Sequence, residues 1–183
     1  MRSTPRRLLF SLLFLLAAAW TVFTRPAPGA PVAADMSAPQ VGFTAPAFSF
    51  QALDGQRENL ADLRGRAVVL NFWASWCPPC RAEMPAVQTV YVHYRDRGLV
   101  VLAVDAGAQD SPANMQTFLD GFAHSYIILR DESGALNRLY AVGALPTTYF
   151  IGRDGKVHDL VIGGPLSEAG LSARVEALLQ EVP

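Results

Sequence analysis

By its hydrophobic pattern the chain divides into an apolar opening, a proline-rich stretch and a run of alternating strand-like and helix-like segments. Phe48-Ser49-Phe50-Gln51-Ala52 alternates apolar and polar side chains and meets Asp54-Gly55, a hairpin turn signal. Asn59 to Leu63 predicts a short helical turn ended by Gly65. Ala67-Val68-Val69-Leu70-Asn71-Phe72-Trp73 is apolar throughout except for Asn71, the pattern of a strand covered on both faces. From about Pro79 to Arg95 the positions Met84, Val87, Val90 and Tyr91 share one helical face, and Pro85 is expected to kink that helix. Leu99 to Val104 predicts a second buried strand, and Ser111-Pro112 opens a helix reaching about Ala123. A short strand over Tyr126 to Leu129, a short helix over Gly134 to Tyr140 and a strand over Pro146 to Ile151 follow. The turn Arg153-Asp154-Gly155-Lys156 leads into Val157 to Ile162, and Ser167 caps a last helix striped by Leu171, Val175, Leu178 and Val182. This order predicts an α/β fold whose sheet is covered on both faces.

The opening has a different character. Arg2, Arg6 and Arg7 precede an apolar run from Leu8 to Thr24, about the shortest that spans a hydrocarbon core of roughly 30 Å. Residues 1–24 read as a signal anchor, or as a signal peptide with small residues at Ala17 to Ala19 and Ala33-Ala34 for cleavage. The basic residues before the run keep the N-terminus in the cytoplasm and export the rest. Residues 25–46 carry Pro26, Pro28, Pro31, Pro39 and Pro46 among alanines and read as a semi-rigid spacer, with the domain proper over 47–183. The expectation is a single-pass protein of the cytoplasmic membrane whose domain lies in the periplasm or extracytoplasmic space.

Composition narrows the function classes. A chain of 183 residues with 51% hydrophobic content can bury a full core. A net charge of −1 and pI near 6.3 give no electrostatic case for nucleic acid. Beyond Arg25 there are 11 basic and 16 acidic residues, so the exported part is mildly acidic. Two cysteines cannot build a multi-bridge scaffold or a four-cysteine zinc site.

Those two, Cys77 and Cys80, stand where the first buried strand hands over to a helix. The helix dipole and free N–H groups of a first turn stabilise negative charge. A Cys-X-X-Cys pair at such a place lowers the thiol pKa below the free value of roughly 8.5, the condition for thiol–disulfide exchange. Pro78 and Pro79 have no N–H to offer a thiolate, so Cys77 is expected to be less acidified than beside a hydrogen-bonding dipeptide.

Phe72-Trp73-Ala74-Ser75-Trp76-Cys77-Pro78-Pro79-Cys80, taken with Leu145-Pro146-Thr147-Thr148-Tyr149-Phe150-Ile151, resembles the thioredoxin superfamily. More narrowly it is similar to the membrane-anchored, periplasm-facing TlpA/ResA-like thiol–disulfide oxidoreductases, from roughly Val41 to the C-terminus. The resemblance implies a thioredoxin-like fold, with a central mixed β-sheet, helices on both faces and an N-terminal extension hairpin. It implies Cys77 as nucleophile, Cys80 as resolving thiol, a redox-active Cys77–Cys80 disulfide, no metal and no further cofactor. Trp76 would flank the dithiol on the substrate side. Pro146 matches the family's cis-proline, with the backbone of Leu145 offered to an extended substrate segment. Thioredoxins carry a buried acid at the position of Asn71, which cannot titrate. Glu83 matches an acid near the dithiol in the ResA-like branch and, about one turn past Cys80, could shuttle its proton.

For this family the resemblance also implies a reductase of exported proteins, cytochrome c maturation included, fed by a membrane electron-donor protein. Two other readings share the residues. A thiol peroxidase of the same fold normally places its nucleophile after a Pro/Thr-rich loop without this Cys-X-X-Cys. A copper metallochaperone would use soft thiolates for Cu(I), with Met84 the nearby added ligand. His93, His124 and His158 have no ligand spacing, and Asp105, Asp110 and Asp131 read as strand ends, caps and turns.

Overall fold

The computed structural model describes residues 37–180. The expected anchor, the first part of the spacer and Val182 lie outside the described residues. Among the described residues no helix is long and apolar enough to cross a membrane.

The alternating stretch and its Asp-Gly turn form a hairpin of β1 (Ser49–Gln51) and β2 (Arg57–Asn59). Gly55 takes φ +87°, a left-handed conformation that favours glycine, and Asp54 Oδ1 accepts from Gln56 N–H at 2.9 Å. Asn59 then caps a 3-10 turn, Leu60–Leu63, by accepting from Ala61 N–H at 3.2 Å.

β3 (Ala67–Trp73) is followed by α1 (Pro78–Tyr94), β4 (Leu99–Asp105), α2 (Pro112–Asp120), β5 (Ile127–Arg130) and the short α3 (Ala135–Leu139). β6 (Thr147–Ile151), β7 (Val157–Ile162) and α4 (Glu168–Gln180) complete the described chain. The sheet order is β5-β4-β3-β6-β7, parallel from β3 to β5 and antiparallel from β3 through β6 to β7. The sheet is therefore mixed. α2 stops three residues short of the expected Ala123 because Gly121 ends it, its N–H turning back to Phe118 O at 3.0 Å.

All seven residues of β3 are buried, and they divide by parity. Ala67, Val69 and Trp73 join Met84, Val87 and Val90 of α1 and Leu171, Val175 and Leu178 of α4 in one apolar layer. Val68, Leu70 and Phe72 join Leu102, Leu136 and Tyr140 in the other, under the hairpin and α3. Asn71 has the parity of the first layer, so the one polar side chain of β3 is directed at α1.

The residues before β3 also dress the sheet's borders. Leu53 N–H donates to Ile128 O at 3.0 Å and Ala52 bridges Leu129, along the outer side of β5. Gly42 N–H reaches Val157 O at 2.8 Å and Val157 N–H reaches Phe43 O at 2.9 Å, at the start of β7. Ala45, 5% exposed, donates to Gly155 O. Residues 37–46, expected as the end of the spacer, are thus built into the domain. Proline density signals an extended backbone, and an extended backbone here finds a strand border to pair with.

Candidate active site

β3 ends at Trp73 in the middle of the sheet, and the chain turns through Ala74, Ser75 and Trp76 into Cys77. Cys77 is the N-cap of α1, with extended backbone (φ −89°, ψ 107°), so the helix begins at Pro78. Proline suits the first turn, where N–H groups lack intrahelical partners and φ is already helical. The two prolines leave few N–H groups facing the cap. Cys80 N–H points at Cys77 Sγ, 3.3 Å away. Cys77 and Cys80 are joined as a disulfide with Cα atoms 5.3 Å apart.

Both sulfurs are well covered. Cys80 is fully buried, and Cys77, the expected nucleophile, is itself only 3% accessible. Its accessible side opens into a cleft of about 300 Å³ lined by Trp76, Pro78, Pro79, Val142, Ala144 and Leu145. Trp76 is 50% exposed, and its indole N–H donates to Gln109 O at 2.8 Å, so the ring stands as a fixed wall. The Leu145–Pro146 peptide bond is cis. Trp76, Leu145, Pro78 and Pro79 thus meet around Cys77, as the resemblance implied.

Glu83 lies behind Cys80, one helical turn on, and is 1% exposed. Two donors from separate elements hold its carboxylate: Asn71 Nδ2 of β3 at 2.8 Å and Leu166 N–H of the β7–α4 loop at 2.9 Å. Asn71 Nδ2 also reaches Thr148 Oγ1 of β6 at 2.9 Å. Burial pushes the Glu83 carboxyl above the ordinary range, against the opposing pull of the Leu166 and Asn71 hydrogen bonds. A carboxyl raised in this way takes up a proton more readily than a surface carboxylate, which suits a proton carrier for a buried thiol. Gly164 closes this space from the other side. A Cβ there would stand 2.7 Å from Pro146 Cγ and 2.8 Å from Glu83 Oε2, so the loop is packed directly on both.

A second cluster was not legible in the sequence. Asp105, Asp110 and Asp131, read from the sequence as strand ends, caps and turns, are all buried, at 0%, 5% and 0% exposure. Asp110 takes both donors of Ser75, two residues before Cys77: the backbone N–H at 2.5 Å and Oγ–H at 2.7 Å. An aspartate directly before a Ser-Pro helix start resembles any capping loop, and no sequence signal ties it to Ser75 on another element.

The comparisons with known proteins agree with this geometry. The AhpC/TSA family profile matches residues 41–160. The chain is 36% identical over 157 residues to the thiol-disulfide oxidoreductase ResA of Geobacillus thermodenitrificans, covering 86% of each chain. It is 39% identical over 124 residues to the thioredoxin-like protein YneN of Bacillus subtilis, covering 68% of this chain and 72% of that one. A Chlorobium tepidum protein assigned as thiol:disulfide interchange protein DsbE superposes with a TM-score of 0.70 at 33% identity, over 76% of this chain and 98% of that one. With a cysteine pair at the helix N-terminus of a thioredoxin-like mixed sheet, the chain belongs to the AhpC/TSA family and, within it, to the ResA-like thiol–disulfide oxidoreductases.

Proposed function

We propose that this oxidoreductase works as a reductase of disulfides in exported proteins, with Cys77 as nucleophile, Cys80 as resolving thiol and Glu83 as proton carrier. The observation that carries the reading is the order of burial: Cys77 opens to the cleft, Cys80 is sealed, and a carboxyl raised by burial lies behind it. In the dithiol form the Cys77 thiolate attacks a partner's disulfide. The new Sγ–S bond joins the two proteins, and the partner's first sulfur leaves as a thiolate. Cys80 passes its proton to Glu83 and attacks Cys77 Sγ. The Cys77–Cys80 bond forms, the mixed disulfide breaks, and the partner keeps two thiols. Two electrons have moved to the partner, and a donor dithiol must restore the pair.

The cleft wall of Trp76 and the Leu145–Pro146 backbone would receive an extended segment of the partner. The basic, then apolar, residues 1–24 support an anchor in the cytoplasmic membrane, with the domain on the periplasmic or extracytoplasmic side and a membrane-bound donor within reach. Apocytochrome c, whose haem-binding cysteines must stay reduced, suits such a reductase as a substrate. The Pro-Pro dipeptide supports the reducing direction, since a thiolate with fewer donors is less stabilised and the disulfide form gains relative to the dithiol. The test is the reduction potential of the Cys77–Cys80 pair by equilibration with glutathione. A value near or below about −270 mV, that of thioredoxin, is expected; one near −120 mV, that of a strong oxidant, would make this a disulfide-forming enzyme instead.

A further inference from the structure

The end of the domain opposite the dithiol carries a concentrated positive charge. Three loops meet there: ahead of β3, after α1, and between β6 and β7. Gly65 N–H reaches Arg153 O at 2.9 Å, Ala67 N–H reaches Gly98 O at 3.2 Å, and Arg153 Nη2 donates to Arg97 O at 3.4 Å. Of the 11 basic residues beyond Arg25, six converge on these loops: Arg64, Arg66, Arg95, Arg97, Arg153 and Lys156. All but Arg153 are exposed. β3 runs from this end to the redox loop at 74–77, about 20 Å away at roughly 3.3 Å per residue.

Carboxylates cancel only part of this charge. The Arg64 guanidinium donates to Asp154 O, and Arg66 Nη2 donates to Leu99 O at 3.5 Å. Arg97 lies over the Tyr94 ring, 5.1 Å from its centre. Carbonyls and a ring hold these side chains without neutralising them. The carboxylates at this end are Asp62, Asp96, Asp154 and Glu176. Asp96 meets Arg95 at 3.8 Å, Asp154 faces His158 at 3.0 Å with the Lys156 charge nearby, and Glu176 accepts from Tyr94 O–H at 2.8 Å. Between residues 37 and 180 there are 14 acids, so the other five basic residues share the rest of the domain with ten. The negative end of the α1 dipole accounts for Arg95 and Arg97. It does not account for Arg64, Arg66, Arg153 and Lys156, which come from two other loops.

The chain also enters the domain here. Ser37, the first of the described residues, lines a small cavity with Arg64, Gly152 and Gly155. The 12 residues between Thr24 and Ser37 reach at most about 40 Å, which holds this end close to any bilayer that the opening stretch occupies. We propose that the basic end is a docking surface for anionic phospholipid headgroups, with its arginine forks and Lys156 on the phosphates. Docked in this way, the domain turns its dithiol outward to soluble partners, and a membrane-bound donor meets it in the undocked state. The choice of a membrane as the anionic partner rests on the anchor proposed above, and the experiment separates the two.

That experiment is arginine footprinting with phenylglyoxal, read by peptide mass spectrometry, on the full-length protein in lipid nanodiscs. Discs of phosphatidylcholine alone are compared with discs in which a third of the lipid is phosphatidylglycerol. In the anionic discs Arg64, Arg66, Arg95 and Arg97 are expected to react about threefold more slowly or less. Arg81 and Arg138, exposed at the dithiol end, should keep their rates. Salt at about 1 M, where the Debye length is roughly 3 Å, should restore the fast reaction. Arg95→Glu combined with Lys156→Glu should abolish the protection of Arg64, Arg66 and Arg97, and in detergent should reduce a protein disulfide at the wild-type rate. Equal rates in both kinds of disc, or protection that salt does not relieve, overturn the inference. Protection by polyglutamate without protection by anionic discs also overturns it, in favour of an acidic protein partner. Loss of the chain from neutral discs would instead overturn the anchor, and protection by added phosphatidylglycerol vesicles would then still uphold the lipid contact.

Discussion

Asn71 Nδ2 lies 2.8 Å from Glu83 Oε1, a hydrogen bond that joins the central strand to the helix carrying the dithiol. A neutral amide donor stabilises the carboxylate without adding a second ionisable group to the same buried space. The buried acid has moved from the strand to the helix, where it lies one turn beyond Cys80.

Glu83→Gln keeps the side chain's shape and removes its capacity to take a proton. Reduction of a protein disulfide at neutral pH is expected to slow by about 10²-fold. The mixed disulfide through Cys77 should accumulate, because Cys80 is formed as a thiolate too slowly to resolve it. Acid quenching followed by mass spectrometry of the trapped complex checks this. Resolution at the wild-type rate would remove Glu83 from the proton path.

Stability should vary with pH in the sense opposite to that of surface carboxylates. Glu83 is raised by burial, and Asp105 is raised to about 7 by burial and by the Asp110 charge. For a group whose folded pKa is raised, the folded state binds the proton more tightly than the unfolded chain. Stability is then full below the unfolded pKa, declines as pH rises, and levels off above the folded pKa. For Asp105 that window runs from 3.8 to about 7. Urea midpoints of the oxidised protein are expected to fall across it, and Asp105→Asn should flatten the decline. A stability that instead rises with pH through this window would contradict the upward shift of Asp105 on burial.

Gly164→Ala places a methyl group 2.7 Å from Pro146 Cγ and 2.8 Å from Glu83 Oε2. Overpacking of this kind is expected to cost about 1–3 kcal/mol and to slow turnover, since it displaces the acid and the proline ring together. Gly143→Ala, with nothing within 4 Å of its added Cβ, serves as the control and should leave the melting temperature unchanged.

Much of this was legible before the structure. Continuous apolar runs placed β3 and β4, the Asp-Gly and Ser-Pro signals placed the hairpin and α2, and the resemblance carried by the two motifs placed Leu145 beside Cys77. What stayed hidden was long-range pairing of polar side chains. Asp105 and Asp110 carry no local signal of burial, because their neighbours come from β3, β5 and the redox loop. The near-complete cover of Cys77 was equally invisible, since the cleft beside it is lined by Val142 to Leu145, just before Pro146, and by an indole ring held by Gln109.

That ring supplies the last expectation. Trp76 is half exposed, so Trp76→Ala should cost less than about 1 kcal/mol of stability. It should raise KM for a protein disulfide while leaving the reduction of a small aromatic disulfide near its wild-type rate. Equal losses on both substrates would give the indole a role at the sulfur rather than at the partner's surface.

A five-stranded sheet has two borders, each a row of backbone donors and acceptors ready to recruit a strand from a neighbouring molecule. Here Ala52 and Leu53 cover part of one border, and Gly42 and Phe43 cover the start of the other. The segment ahead of the dithiol strand is therefore a hem for the sheet. Trimmed back to the residues with an obvious chemical task, the domain would keep its cysteines and gain two sticky edges, and its first failure would be self-association rather than loss of redox chemistry.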